Sequence, residues 1–270
     1  MSRSPHGEVE FNRYYEDLFA ERWAHLRPAL LSNPVHATFS DCLIKPYFLD
    51  PASLAVGIAL DVHPGQEVLD LCAAPGGKSL VLACRLSGEG RLVANERSAT
   101  RRARLHRVLN GHLAPPLRAV VSVTGHDASR WGLYEPESYD RVLADVPCSS
   151  ERHVISSAGD LERWSPSRPK RLAQAAYASG CAAVDATRPG GIVAYSTCAL
   201  SPVENDGVIE RLLMRGRGSF VQVTPQTLEP NPPEGVEAVP IVWEPTVFGQ
   251  IALPDRNNGV GPMYFALLQK

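Results

Sequence analysis

No run of about eighteen apolar residues occurs in this 270-residue chain, which excludes a hydrophobic spanning helix of ordinary length. The polar opening MSRSPHGEVE lacks the apolar centre of an export signal, so a cytosolic location, or an organellar matrix in a eukaryote, is expected. No C-x-x-C pair and no metal-spaced histidine accompanies the cysteines. Cys42, Cys72, Cys84, Cys148, Cys181 and Cys198 are therefore expected as free thiols, with no metal. An excess of one charge is missing too. A formal net charge of -2 argues against a bulk electrostatic grip on nucleic acid and leaves only local patches. Two exist, ERSATRRARLHR (Glu96 to Arg107) and ERWSPSRPKR (Glu162 to Arg171), and each reads equally well as a solvated face. There are no internal repeats or low-complexity tracts, and the length suits one large domain with at most a small extension.

What is present is an ordered alternation. Apolar residues at Phe11, Tyr15, Leu18, Phe19, Trp23, Leu26 and Leu30 recur at helical spacing, which predicts a helical N-terminal extension over 1–45 with a break near Pro28. A second helix follows the Asp50-Pro51 start. Then EVLDLC, RLVANE, RAVVSVTG, DRVLADV and GIVAYST form short, largely β-branched runs between helical stretches, as buried parallel strands do. The expected fold is α/β, a Rossmann-like doubly wound sheet, with ligands beyond the carboxyl ends of its strands. Near the C-terminus FVQV and MYFALLQ predict an antiparallel hairpin at the sheet edge, joined by a proline-rich connection.

Each strand end carries polar or reactive groups. After the first comes CAAPGGK, Cys72 to Lys78; after the second, Asn95 and Glu96; after the third, His126 and Asp127; after the fourth, Asp145 to Cys148; after the fifth, Thr197 and Cys198. A triphosphate loop needs its first glycine at position 72, where this chain has cysteine, so the nucleotide-hydrolase reading is weak. A nucleoside without phosphates fits better. The small residues Cys72, Ala73, Ala74, Pro75, Gly76 and Gly77 permit close passage of a ligand, Glu96 is placed for both ribose hydroxyls, and Asp127 for an adenine amine. S-adenosylmethionine satisfies all three. A tight turn with two surface acids is the competing explanation.

Cys148 and Cys198 stand at neighbouring strand ends, and a lone buried cysteine there is usually filler. Two cysteines beside an aspartate suit one demanding reaction. Carbon 5 of a pyrimidine becomes nucleophilic once a thiolate adds to carbon 6. Free cysteine has a pKa of about 8.5, so its surroundings must favour the thiolate; Lys78 is a candidate for that, and Asp145 for holding the ring edge. A base must then take the carbon-5 proton.

Together DLCAAPGGK, DVPCSS and YSTCAL resemble the Sun-domain (NOL/NOP/Sun, Fmu-type) family of RNA cytosine-5 methyltransferases over roughly Tyr47 to Lys270, and the terminal GPMYFALL looks most like its mitochondrial small-subunit rRNA member. The resemblance implies a class I methyltransferase domain over 46–270 with S-adenosyl-L-methionine as cofactor. It makes Cys198 the nucleophile and Cys148 the releasing residue. It places cofactor contacts at Cys72 to Lys78, Glu96, Arg101, Asp127 with Ala128, and Asp145. RNA is the implied partner, rRNA before tRNA, with a protein partner for targeting as in the mitochondrial member. The family's usual acid after the second strand is aspartate, where this chain has Glu96.

A cytosine attacked from its face must lie outside a helical stack. The stretches Arg97 to Arg107 and Arg152 to Arg171 are then candidate backbone contacts, with His153 and Trp164 available for stacking, although Trp164 equally suits packing under its loop. Two other functions stay open: methylation of an exocyclic amine, which needs no cysteine, and RNA binding as an assembly factor with a vestigial cofactor site.

Overall fold

The computed structural model describes residues 6–40, 42–224 and 239–270. Helix α1 (His6–Phe19) and α2 (Trp23–Leu31) are linked by a 3-10 turn at Ala20–Arg22. Strands β1 (Ala37–Phe39) and β2 (Tyr47–Leu49) pair antiparallel. Helix α3 (Pro51–Ala59) starts where Asp50 accepts the Ala52 and Ser53 N–H groups, with Pro51 in the first turn; a side-chain cap and a proline preset for helix make this a strong start.

The alternation that follows is β3 (Glu67–Asp70), α4 (Gly77–Leu86), β4 (Arg91–Asn95), α5 (Ala99–His112), α6 (Pro115–Ala119), β5 (Val121–Thr124), α7 (Trp131–Tyr134) and β6 (Tyr139–Asp145). It continues with α8 (Glu151–Ser156), α9 (Ala158–Glu162), α10 (Ser167–Ala186), β7 (Thr187–Thr197) and α11 (Asp206–Gly216), and ends with β8 (Val221–Val223), β9 (Trp243–Pro245), β10 (Gln250–Ala252) and β11 (Met263–Gln269). The large sheet runs β5-β4-β3-β6-β7-β11-β10-β9, with β8 also on β11. All five expected strands are there and pair in parallel. Strand order reverses beside β3, where a doubly wound sheet opens its crevice.

Three expectations need correction. The two C-terminal runs do pair antiparallel, but β11 is an interior strand between β7 and β10, and β9 and β10 extend the sheet beyond it; the connection expected to be proline-rich falls largely on 225–238, outside the described residues. Pro28 lies inside α2, and the chain instead turns at Ala20, whose φ is +48°; that turn stacks Tyr15 on Trp23 with ring centroids 5.2 Å apart. Not every cysteine is free, because Cys42 and Cys84 form a disulfide between the β1–β2 loop and α4. Only the folding of the hairpin onto α4 brings those two thiols together.

Phe11, Tyr15, Trp23, Leu26 and Leu30 of α1 and α2 share one buried cluster with Val142, Val193 and Tyr195 of the sheet. The helices join that core by packing α1 on α9 and α2 on α8. Trp164 belongs to the same cluster, against Phe11 and Tyr14, so it is unavailable for stacking on a base.

Candidate active site

Loop 71–76 leaves β3 and enters α4. Gly76 has φ +119°, and a Cβ there would meet the Val108 and Leu105 side chains at 3.0 and 3.1 Å, so both the turn and its packing on α5 require glycine. Gly77 is pressed by Tyr47 of β2, 3.0 Å from where its Cβ would lie. Asn95 fixes the neighbouring strand end: its amide donates to the Leu71 and His126 carbonyls and accepts from Thr124 and the His126 N–H.

Two cavities meet at Cys72 of this loop, and a third adjoins the second. One of about 310 Å³ is lined by Leu71, Cys72, Glu96, Arg101, Asp127, Ala128 and Pro147. A second, about 250 Å³, lies beyond Cys72 and takes in Asp70, Ala73, Ala74, Pro75, Gly77, Lys78 and Asp145. The third, about 540 Å³, reaches Cys198, Ser150 and His153 and shares Asp50 and Ser53 with the second. Every expected cofactor residue except Gly76 lines one of the first two.

Their charges are organised. Glu96 is buried, accepts the Ser98 N–H at 2.7 Å and pairs with Arg101 at 3.3 Å; Arg101 also donates to the Ala74 carbonyl at 2.8 Å, tying α5 to the loop. Asp127 caps Ser129 and pairs with Arg97 at 3.0 Å, and the Ser129 hydrogen bonds hold its carboxyl below the ordinary range. Lys78 Nζ donates to Asp145 Oδ2 at 2.8 Å and to Ser53 at 3.2 Å, while Ser196 donates to Asp145 Oδ1 at 2.8 Å. Burial works against the Lys78 charge, but Asp145 outweighs it and keeps the ammonium above its usual pKa.

The sulfurs of Cys148 and Cys198 are 2.8 Å apart. The Cys148 thiol donates to Cys198, which lowers the Cys198 pKa against the opposing effect of burial, and Ser150, at 3.5 Å, lowers it further. Cys148 is pushed well up by the same hydrogen bond, then by burial and by the nearby Glu151 and Glu204. The contact therefore favours the thiolate at Cys198 and the thiol at Cys148. Cys72, by contrast, is raised far up by burial and is an inert wall.

Several contributors escaped sequence reasoning. Asp70 is fully buried; Ser79 donates to its Oδ2 at 2.6 Å, and its Oδ1 has no partner among the described residues. Its position in LDL at a strand end was the available signal. Ser53 and Ser150 stand beside Lys78 and Cys198, and Phe48 with His36 forms the mouth of the second cavity. Of the expected RNA contacts, Arg152 is turned inward onto the Gly261, Gly259 and Ser32 carbonyls, whereas His153 stands exposed near Asp160 at the rim of the third cavity.

A parallel sheet reversing beside β3, an antiparallel strand β11 set against β7, and a glycine loop opening onto paired acids define a class I methyltransferase fold. A solved structure described as PH0851 superposes over 98% of this chain and 67% of its own, with TM-score 0.80 at 19% identity. The chain belongs to the family described as 16S rRNA methyltransferase RsmB/F, whose model matches residues 57–269. It is 37% identical over 231 residues to the 5-cytosine rRNA methyltransferase NSUN4 of Xenopus tropicalis, covering 84% of this chain and 56% of that protein. To the mitochondrial tRNA (cytosine(34)-C(5))-methyltransferase of Danio rerio it is 35% identical, covering 91% of this chain and 66% of the relative. The chain thus spans between about half and two thirds of the length of these two relatives.

Proposed function

We propose that this protein is an S-adenosylmethionine-dependent RNA cytosine-5 methyltransferase acting on ribosomal RNA, with 46–270 as the catalytic unit braced by the helices of 1–45. The observation that carries the reading is the pair of cysteine sulfurs, 2.8 Å apart, beside the Lys78–Asp145 ion pair. Methylation of an exocyclic amine has no use for two such sulfurs.

The cavities fit the cofactor. Glu96 and Asp127 offer carboxylates to a ribose and an adenine amine, and the orphaned Asp70 Oδ1 lines the neighbouring cavity, where a buried carboxylate oxygen without a donor suits an ammonium group. Bound there, S-adenosylmethionine supplies an electrophilic methyl group. The protein's residues do the rest. Cys198 adds as thiolate to carbon 6, forming the C–S bond and making carbon 5 electron-rich. Asp145, with one oxygen held by Ser196 and the other by Lys78, orients the cytosine amino edge. Once Cys198 is bonded to carbon, the chief cause that keeps Cys148 protonated is gone. Cys148 gives up its thiol proton to solvent, and as thiolate accepts the carbon-5 proton; the electrons of that C–H bond restore the ring double bond, and Cys198 leaves as thiolate.

Cys148→Ala expressed in cells should remain covalently joined to RNA after denaturation, and the adduct should vanish in Cys148→Ala/Cys198→Ala. Sequencing the trapped RNA distinguishes rRNA from tRNA. An adduct that survives loss of Cys198 contradicts the assignment.

A further inference from the structure

Behind the two cysteine loops lies a cluster that this mechanism does not use. Glu151 and Glu204 are both completely buried, and Ser149, the residue after Cys148, stands between them. Ser149 Oγ contacts Glu151 Oε1 and lies 2.5 Å from Glu204 Oε2. A serine hydroxyl has one hydrogen and two lone pairs, so it donates to one carboxyl and must accept from the other. Which one is decided by the remaining donors. Glu151 already accepts the Tyr15 hydroxyl on Oε1 and the Leu200 N–H at 3.1 Å on Oε2; burial raises its pKa, and these donors oppose that rise and favour its charged form over that of Glu204. Apart from its contact with the Ser149 hydroxyl, the Glu204 carboxyl has among the described residues one donor, the Ser149 N–H at 2.8 Å on Oε1, which leaves Oε2 free to carry a proton.

We propose that Glu204 is a neutral carboxylic acid donating to Ser149 Oγ, and that the resulting Glu204–Ser149–Glu151–Tyr15 relay is a positioning device that holds the Cys148 loop against the Cys198 loop during release. The relay grips Ser149 by its N–H and its hydroxyl, Leu200 by its N–H, and anchors both to α1. The claim of a role in release rests on the two-cysteine reading; the claim of a buried proton does not. Burial first, then the Glu151 charge, pushes Glu204 up to about 8. Other titratable or charged groups facing the cluster are Tyr14 on α1, Arg168 on α10, which donates to the Ser149 carbonyl, Tyr195 on β7, which donates to the Glu204 carbonyl, and the cysteines with Asp145. Above about pH 8, Glu204 ionises, the donor to Ser149 is lost, and two carboxylates face each other across one hydroxyl.

The first test is infrared spectroscopy of the full chain labelled with carbon-13 glutamate. A protonated-glutamate carbonyl band should persist at pH 7, titrate away near pH 8, and be missing from Glu204→Gln; absence of that band in the unaltered protein overturns the proposal whatever the activity. The second is the pH dependence of adduct release. In the unaltered protein the rate should fall about tenfold per pH unit above about 8. In Glu204→Gln, whose amide donates to Ser149 and accepts its N–H at every pH, that fall should disappear, whereas Glu204→Ala should slow release at all pH values. An alkaline fall that persists unchanged in Glu204→Gln overturns the role in release. If no adduct forms with Cys148→Ala on any RNA, the two-cysteine reading fails, and the infrared band alone decides the buried proton.

Discussion

At Asp70 the charge depends on what the cavity holds. Burial raises its pKa to about 7 despite the Ser79 hydrogen bond, so a cationic ligand group reaching Oδ1 must pull it down and expel a proton. Cofactor binding near pH 7 should therefore release protons, seen as a binding enthalpy that varies with the ionisation enthalpy of the buffer. Asp70→Asn should abolish that dependence and weaken binding tenfold or more. Asp70 stood in full view within LDLC, yet nothing in those letters says that Ser79 satisfies one oxygen while the other has no hydrogen-bond partner among the described residues. Phe48 poses the same limit from outside: it is 63% exposed at the cavity mouth, beside Arg104, and among the described residues Arg104 has no ion-pair partner. Such an arrangement suits a stacked base with a phosphate next to it. Phe48→Ala should raise KM for RNA about tenfold with cofactor affinity unchanged, and Phe48→Trp should restore it.

Among the elements, the hairpin β1–β2 shows how a small piece is held in place. It covers Gly77 with Tyr47 and is stapled to α4 by Cys42–Cys84, 42 positions apart in sequence. A loop of that length, closed covalently, stabilises by about 4 kcal/mol in the chain-entropy description. Urea unfolding should show that loss when the thiols are reduced, and Cys42→Ser/Cys84→Ser should be indifferent to reductant. Metal-free, unpaired spacing led to the expectation of free thiols; partner choice needed the hairpin's position. The same holds for β9 and β10. Three residues each, they are strands because β10 pairs on β11 and β9 in turn on β10, and strands that short carry too little pattern to be seen alone. The parallel strands β3, β4, β6 and β7 were legible because each contains an apolar run that is largely buried.

For the whole molecule, buried acids tie stability to pH, Glu151 being raised by burial as well as Asp70 and Glu204. Asp70 and Glu204 have folded pKa values raised to about 7 and about 8, so their protonated forms favour the folded state. That contribution is complete below the ordinary carboxylate range and is lost as pH rises through those two values. Thermal unfolding should accordingly show Tm falling from pH 5 to pH 9, with a shallower slope in Asp70→Asn and in Glu204→Gln. Apolar periodicity in the sequence dictates which segments become buried strands, and the topology of such sheets sends their carboxyl ends, with Lys78, Asp145, Cys148 and Cys198, to one crevice. Tertiary structure alone decided the charge states. Which sulfur is the thiolate, which carboxyl keeps its proton and which arginine faces inward depend on partners from elements far apart in the chain, and on water being excluded among them, because electrostatic energy is set by distance and burial rather than by order in sequence.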